Sequence, residues 1–289
     1  MLKINVDLKG TDIPLETIGI DMGQSLTKIV YVDENRLNLL SLSTKTNISK
    51  IEEIIENKKE NYTIFNFTGG RCFRLFRNYS KKFNVKIFNE FEANVKGIEY
   101  LYSLEKSKKL LSSLVVTMGT GTSILLKNEN YKHLGGSAMG GGFFMGLIKQ
   151  IFNLNDFQEA INLAKNGDRY NVDLKVSDIY DSEDNRIDLL FREFTAASFG
   201  KIDNSFDRNS LRKEDFIKSL ICVIGENIGT IAALMAENNG ITDIIFSGGF
   251  LRENRPLRKI LSLICKVNKK KAIFLKNSEF SAAIGALLL

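Results

Sequence analysis

The chain of 289 residues is 44% hydrophobic and 26% charged, which is typical of a globular protein with one large or two medium domains. Its formal net charge of +6 is spread over scattered lysines, and the densest basic run, residues 269–271, has no interleaved aromatic residues, so we expect a solvated surface and no nucleic-acid partner. Three widely separated cysteines and a single histidine, His133, exclude a disulfide scaffold and leave little material for zinc sites or the usual catalytic dyads.

The amino-terminal residues alternate apolar and charged side chains instead of forming a signal peptide. No apolar run approaches the roughly 18 residues needed to cross a bilayer. We therefore expect a cytoplasmic protein that does not contact a membrane. Residues 2–8 predict a strand, and residues 10–16 predict a turn.

Residues 17–32 predict a hairpin of two strands around a turn at Gly23. Asp21 ends the first strand and can hold a hydrated Mg²⁺ ion. The backbone at Gly23 and Gln24 can donate to phosphate, and Lys28 can supply positive charge, so the hairpin holds parts that phosphoryl transfer needs. A simple Asx-turn hairpin without a function predicts the same local pattern.

The remainder of the first half predicts alternating helices and strands. Residues 47–58 form an amphipathic helix, residues 62–70 a strand that ends at a glycine pair, and residues 73–83 a further helix. A short strand then leads into another helix, with Glu90 at the junction. Since acidic residues are favourable at the start of any helix, capping is the default interpretation of Glu90.

Residues 115–147 hold two glycine clusters, at 119–123 and at 140–142. The first follows a buried strand, and the second opens an apolar helix after a hairpin. Glycine clusters suit turns in which the backbone approaches a ligand closely, and phosphate is favoured both by converging backbone N–H groups and by a helix N-terminus. The alternative is a tight hairpin with a glycine packing contact.

The second half repeats the plan of the first. A helix ends at Gly167, residues 179–202 are polar and irregular at first, and residues 211–240 form a long helix. That helix is apolar on more than one face, so we expect it to be buried against another element or a second subunit. A strand, a Ser-Gly-Gly turn at 247–249, another strand and a small-residue helix follow. Two such successive units indicate an internally duplicated α/β fold.

Three turns in order, DMGQS, VTMGTGTS and IIFSGGF, resemble the phosphate 1, phosphate 2 and adenosine motifs of the actin, sugar kinase and Hsp70 superfamily. A longer series is similar to the type II, eukaryotic-like pantothenate kinases over almost the entire chain. The series comprises GIDMGQSLTKIVY, FTGGR, NEFEANVKGIEYL, MGTGTSILL, GGSAMGGGFFMGL, AKNGDRYNVDLKVSDIY, FTAASFGK, ENIGTIAALMA, FSGGFLREN and FSAAIGALLL.

The resemblance implies a duplicated actin-like ATPase (ribonuclease H-like) α/β fold with a nucleotide in the cleft between two lobes. The amino-terminal lobe would span residues 1–110, and the carboxy-terminal lobe, with a dimerisation helix, residues 111–289. The implied reaction transfers the γ-phosphate of ATP to the primary hydroxyl of pantothenate. It gives 4'-phosphopantothenate and is the first step of coenzyme A biosynthesis.

The resemblance also implies roles for individual residues. Glu90 would be the catalytic base, and Asp21 would organise Mg²⁺. The implied nucleotide site comprises Asp21, Gly23, Gln24, Ser25, Lys28, Gly119, Thr120, Gly121, Gly141, Gly142 and Gly248. The implied substrate site comprises Thr120, Ser123, His133 and Ala283. A homodimer through residues 211–236 is implied as well, with the helix around Ala283 near the substrate across the interface, and so is feedback by coenzyme A thioesters.

Two positions depart from the family pattern. Gln24 stands where the first motif usually has a second glycine, so its side chain either crowds the phosphate turn or donates to a phosphate oxygen. His133 stands where the family usually has an arginine that grips the pantothenate carboxylate, and imidazole is no equivalent of a guanidinium. Lys132 can compensate. Otherwise the chain binds pantothenate weakly, prefers a substrate without the carboxylate such as pantetheine, or is a non-catalytic partner subunit.

Overall fold

The computed structural model describes residues 2–7, 13–45, 48–186, 188 and 191–289. Parts of four predicted segments lie outside them: the strand end at residue 8, the turn over residues 10–12, the helix start at residue 47, and residues 187, 189 and 190 of the segment 179–202. The first half of the chain forms β1 (Leu2–Asp7), β2 (Thr17–Met22), β3 (Leu26–Asp33), β4 (Arg36–Ser43), α1 (Ile48–Lys58), β5 (Ile64–Thr68), α2 (Phe73–Tyr79), β6 (Asn84–Ile87) and α3 (Glu90–Lys106).

The second half forms β7 (Ser113–Met118), β8 (Thr122–Lys127), β9 (Tyr131–Ser137), α4 (Gly141–Phe152), α5 (Phe157–Asn166), β10 (Leu174–Lys175), β11 (Thr195–Ala197), α6 (Lys213–Asn238), β12 (Asp243–Ser247), α7 (Arg255–Val267), β13 (Lys271–Phe274) and α8 (Ser281–Leu288). The short strands β10 and β11 pair with each other, on either side of the stretch that was predicted to be irregular at first.

The first sheet has the strand order β1-β4-β3-β2-β5-β6. Neighbouring strands among β1 to β4 are antiparallel, whereas β5 and β6 run parallel to β2. Helices α1 and α2 pack on one face of this sheet, and α3 and α8 pack on the other. Because both faces are covered, every residue of the central strand β2 is buried.

The second sheet has the order β13-β12-β7-β8-β9, with an antiparallel meander from β7 to β9 and with β12 parallel to both β7 and β13. One face packs against α4 to α7. The other face contributes Val115, Leu125 and Ile245 to a core that also contains residues of α3 and α8. Both sheets thus combine an antiparallel meander with parallel strands, and the predicted duplicated α/β fold is confirmed.

Helix α8 packs within the first lobe, on β2 and α3, although it follows the second sheet in sequence. The approach is so close that a Cβ atom at Gly97 would overlap the carbonyl oxygen of Ser281, and one at Gly285 would overlap that of Ala93. Small residues at these positions therefore set the helix spacing. The predicted small-residue helix is present as α8. Its predicted place near the substrate across a dimer interface stays a prediction, and so does the lobe boundary between residues 110 and 111.

Helix α6 is, among the described residues, the one helix long and apolar enough to cross a membrane by length and composition. This corrects the expectation that no stretch approaches that length. Within its most apolar window 61% of the residues are buried in the fold, where the helix packs against α5 and α7. Its burial is that of a core helix, in agreement with the predicted packing against another element.

The glycine contact between α8 and α3 predicts a strong effect on stability. Gly285→Ala should lower the free energy of unfolding by about 2 to 3 kcal/mol, because the added methyl group meets backbone that cannot rotate away. Gly146→Ala in α4 is the matched control, since nothing lies near its Cβ position and alanine favours a helix by up to about 1 kcal/mol. Urea unfolding of both variants measures the difference, and equal stability would contradict the close packing of α8.

Candidate active site

A cleft of about 670 Å³ lies between the two lobes, where the hairpin turns of both sheets meet. All the predicted site residues except His133 and Ala283 line it: Asp21, Gly23, Gln24, Ser25, Lys28, Glu90, Gly119, Thr120, Gly121, Ser123, Gly141, Gly142 and Gly248. Residues from positions far apart in the sequence thus converge on one space.

The turn between β2 and β3 forms one wall of the cleft. The N–H of Gly23 donates to the carbonyl of Leu26 at 3.0 Å, and the hydroxyl of Thr44 donates to the carbonyl of Gly23 at 2.9 Å. The N–H groups of Gln24 and Ser25 have no acceptor among the described residues. Two backbone donors in a fixed turn are therefore left for a ligand, and an anion is the ligand that such donors favour.

The turn between β7 and β8 faces the first turn and is braced by α4. The N–H groups of Gly141 and Gly142 donate to the carbonyls of Gly119 and Thr120 at 2.8 and 2.9 Å. The turn therefore uses these two N–H groups, and the attraction of phosphate to the N-terminus of α4 stays a prediction. The N–H groups of Thr120 and Gly121 remain without an acceptor in the described part of the chain.

The two turns also touch each other directly. Ser25 Oγ and Thr120 Oγ1 are hydrogen-bonded at 3.1 Å, which joins the first lobe to the second across the cleft. Gly248 follows β12 at φ +103°, and a Cβ atom there would overlap the carbonyl of Met118. Glycine at this position thus lets the third turn reach the end of β7.

Asp21 and Lys28 form an ion pair at 2.9 Å, because they are opposite partners in the register of β2 and β3. Burial is the largest single influence and lowers the pKa of Lys28, but the charge and hydrogen bond of Asp21, together with the charges of Glu90 and Glu279, outweigh it, so the pKa is raised above its usual value. Asp21 is only 3% exposed, and its Oδ1 atom has no hydrogen-bond partner among the described groups.

The unpartnered oxygen of Asp21 fits a magnesium ion. The described residues contain no group of three or more metal-ligating His, Cys, Asp or Glu side chains. Such a group is not required, since Mg²⁺ is commonly held by one or two carboxylates together with waters and the phosphates of its ligand. A buried carboxylate oxygen without a donor is otherwise costly to keep.

Glu90 is the first residue of α3, and its carboxylate lies in the cleft. The helix is capped by Asn89, whose side chain accepts from the N–H of Phe91 at 2.8 Å, so Glu90 is not the capping residue, although its charge still lies in the first turn of the helix. Desolvation by the cleft walls, and then the charge of Asp21, raise the pKa of Glu90, while Lys28 and the N–H of Gly70 partly offset them. A raised pKa brings a carboxylate closer to that of an efficient general base near neutral pH.

A hydrogen-bonded chain of side chains links the two lobes below Glu90. Ser281 donates to Asn94 Oδ1 at 2.8 Å, and Asn94 Nδ2 donates to Thr117 Oγ1 at 2.8 Å. Thr117 Oγ1 is in turn hydrogen-bonded to Ser247 Oγ at 3.1 Å. These hydrogen bonds therefore connect α8 and α3 to β7 and β12, the two strands that end in the second and third turns.

These linking residues were missed by sequence reasoning. Asn94 lies one helical turn after Glu90, and that spacing places both on one face of α3 and was available as a signal. Phe157, Phe250 and Arg252 also line the cleft. Phe250 and Arg252 belong to the motif FSGGFLREN, whereas Phe157 belongs to no predicted motif.

Two predicted residues lie outside the cleft lining. His133 is exposed on β9, and its ring stacks on Phe91 with centroids 4.4 Å apart and planes at 8°. Phe91 is the residue after Glu90, so His133 is close in structure to the predicted base. Ala283 is fully buried under β2, whereas its neighbours Ser281 and Ala282 do line the cleft.

Comparison with known proteins gives one family and many relatives. The Fumble family model matches residues 34–289. A type II pantothenate kinase of Bacillus cereus is 35% identical over 274 residues, which covers 94% of this chain and 97% of the relative. A type II pantothenate kinase of Oceanobacillus iheyensis is 35% identical over 276 residues, which covers 95% of this chain and 99% of the relative.

Solved structures support the fold. The activator of the 2-hydroxyisocaproyl-CoA dehydratase from Clostridium difficile, with bound ADPNP, gives a TM-score of 0.62 at 16% identity and covers 94% of this chain and 92% of its own. A glucokinase of the ROK family from Streptomyces griseus, with glucose and AMPPNP, gives 0.57 at 13% identity and covers 93% and 97%. At these identities the similarity establishes the two-lobed architecture.

The hydrogen-bonded side chains between the lobes predict that their loss lowers the stability of the protein. Thr117→Val should lower the free energy of unfolding by about 1 to 3 kcal/mol, because it leaves Asn94 and Ser247 without their buried partner. Thr63→Val removes an exposed hydroxyl, bonded to Glu16, and should cost less than about 0.5 kcal/mol. Chemical denaturation compares the two variants. Equal losses of unfolding free energy in the two variants would show that the hydrogen bonds between the lobes do not stabilise the structure.

Proposed function

The chain belongs to the Fumble family, whose type II pantothenate kinases it matches nearly end to end, and we propose on this premise that it phosphorylates pantothenate with ATP. The proposed product is 4'-phosphopantothenate. The observation that carries the proposal is the meeting of Glu90 and Asp21 with two opposed turns that keep unpaired backbone donors. Such an arrangement suits an acceptor hydroxyl on one side and a triphosphate on the other.

In the proposed reaction the turns bind the phosphates through the free N–H groups of Gln24, Ser25, Thr120 and Gly121. Mg²⁺, held through Asp21, would neutralise charge on the phosphates. The acceptor oxygen bonds to the phosphorus of the γ-phosphoryl group, and the bond from that phosphorus to the bridging oxygen of ADP breaks. Glu90 takes the proton of the acceptor hydroxyl.

Lys28 holds the buried Asp21 carboxylate in place, because the two side chains form an ion pair across the hairpin. Thr120 lies on the second turn and Ser123 follows it on β8. Both would contact the acceptor, and Thr120 would contact the nucleotide as well. Since Ala283 is buried, a contribution of α8 to the acceptor site falls to Ser281 and Ala282.

The proposal includes a homodimer through residues 211–236. It is supported by α6, which leaves Asn227, Thr230 and Leu234 exposed along one side. The location we propose is the cytoplasm. Coenzyme A thioesters would compete for the same cleft, by resemblance to the family.

Release of ADP, measured in a coupled assay with the purified chain, tests the reaction with pantothenate and with pantetheine as separate acceptors. Turnover with pantothenate supports the proposal. Turnover with pantetheine alone would instead assign the chain to an acceptor without a carboxylate, an outcome to which His133 in place of arginine points. Binding of ATP without turnover of either acceptor would indicate a non-catalytic partner subunit.

The role of Glu90 predicts a loss of turnover on substitution. Glu90→Gln should lower kcat by at least about a hundredfold, the usual contribution of a general base, while ATP binding stays nearly intact. Glu92→Gln changes the other acidic residue of the same first turn, which does not line the cleft, and should leave kcat unchanged. Steady-state kinetics measures both.

The pH profile checks the same assignment, because the base works only when deprotonated. Since the pKa of Glu90 is raised in the free protein, kcat/KM, which reports the free protein, should fall as the pH drops through a value above the ordinary range of a glutamate. The acid limb should vanish in Glu90→Gln. Normal kcat in that variant, or an unchanged acid limb in its residual activity, would refute the base assignment.

The position of His133 predicts an effect on acceptor affinity. His133→Arg should lower the KM for pantothenate about tenfold with little change in kcat, since a guanidinium forms a charge-assisted pair with a carboxylate. The KM for pantetheine, which has no carboxylate, is the internal control and should not fall. Lys132→Ala tests whether the adjacent lysine already supplies the charge. An unchanged or higher KM for pantothenate in His133→Arg would remove the histidine from the acceptor site.

A further inference from the structure

Gln24, at the position where the family pattern has glycine, is hydrogen-bonded to an arginine. Its side-chain oxygen Oε1 accepts from Nε of Arg71 at 2.5 Å. The φ angle of Gln24 is not positive, so no backbone strain comes with the missing glycine. Gln24 lines the cleft, and its side chain is turned to a specific partner instead of filling the turn at random.

Arg71 is fixed beside the first turn by its backbone. Its N–H donates to the carbonyl of Met22 at 3.0 Å, and Met22 directly precedes the turn. The preceding residue, Gly70, lines the cleft and donates its N–H to the carboxylate of Glu90. The main chain at 70–71 thus lies between the first phosphate turn and the proposed base.

The guanidinium of Arg71 keeps free donors. Its Nε atom is used by Gln24, but neither terminal nitrogen has an acceptor among the described residues, and the side chain is exposed. A guanidinium is always charged in proteins, and its planar fork matches two oxygens of a phosphate. Arg71 does not itself line the cleft, but its neighbours Gln24 and Gly70 do. An arginine held at Nε at the edge of the cleft, with both terminal nitrogens open, is therefore available to bind an anion.

The charges of the cleft call for such a cation. Asp21, Glu90 and Glu279 line it, and Lys28, which faces all three, is paired with Asp21. The carboxylates repel a triphosphate. Lys28 is already paired with Asp21, so it cannot fully neutralise the charge of the phosphates as well. Arg252 lines the cleft beside the third turn, not the first.

We propose that Arg71 binds the terminal phosphate of a nucleoside triphosphate and that Gln24 positions its guanidinium for that contact. The inference rests on the proposed function only in that a nucleotide occupies the cleft, and the identity of the acceptor plays no part in it. Gln24 then compensates for the missing glycine. Its side chain takes up space in the turn, but it also holds the positive charge of Arg71 beside the phosphates. Arg71 touches the substrate, and Gln24 acts through Arg71.

Binding of nucleotides to the full chain, measured by titration calorimetry with Mg²⁺, tests the contact without any acceptor. Arg71→Ala should weaken a non-hydrolysable ATP analogue about tenfold and leave ADP within about twofold, because only the triphosphate carries the terminal group. Arg71→Lys should lose less than alanine. Arg74→Ala, an exposed arginine on α2, is the matched control and should bind both ligands as the unchanged chain does.

A double-mutant cycle tests the role of Gln24. Gln24→Ala should weaken the triphosphate analogue about threefold, and the double variant with Arg71→Ala should bind no more weakly than Arg71→Ala alone. Additive losses would overturn the positioning role. Unchanged triphosphate affinity in Arg71→Ala, or an equal loss for ADP, would overturn the terminal-phosphate contact. Failure of the unchanged chain to bind either nucleotide would overturn the proposed function and this inference together.

Discussion

The carboxamide of Asn94 is the point at which both lobes are held together. Its oxygen accepts from α8 and its nitrogen donates to β7, and Thr117 extends the chain to β12. Each link is buried or partly buried, where an unpaired partner is costly, so the groups meet in one arrangement. Since Glu90 lies one turn earlier on the same helix, this arrangement also fixes the distance from its carboxylate to the glycine turns. The geometry of the cleft depends on a few hydrogen bonds beneath it.

Charge gives the cleft its second constraint. Three carboxylates surround one lysine, and the pKa of Glu90 is raised chiefly by desolvation and then by Asp21. An empty cleft of this kind is electrostatically unfavourable, and a metal ion bound with a nucleotide would relieve the repulsion. The same repulsion that disfavours the ionised base in isolation makes it a better proton acceptor near neutral pH. Ligand binding and proton transfer therefore both depend on the same charged side chains of the cleft.

The local parts of the site were predictable from sequence, because they depend on short spacings. Asp21 and Lys28 lie opposite each other since the hairpin between them is tight, and the glycines of the second turn follow a strand directly. The long-range parts were not. Nothing local shows that Ser281 meets Asn94, or that α4 uses its first N–H groups to brace the second turn. The surroundings of His133 were equally hidden, because its stacking partner Phe91 lies on another element.

The place of α8 bears on how the protein is made. The first lobe has a groove between β2 and α3 that Ala283 and Gly285 fill, and these residues emerge from the ribosome after both sheets have been synthesised. Domains usually fold in the order of their synthesis. Here the first lobe is complete only after α8, which follows the second sheet in sequence, has been made. Until α8 has been made, the residues of α3 and β2 that it covers lack their packing partner. The order of synthesis and the order of packing therefore differ in this protein, because α8 is made late and completes the lobe that is made first.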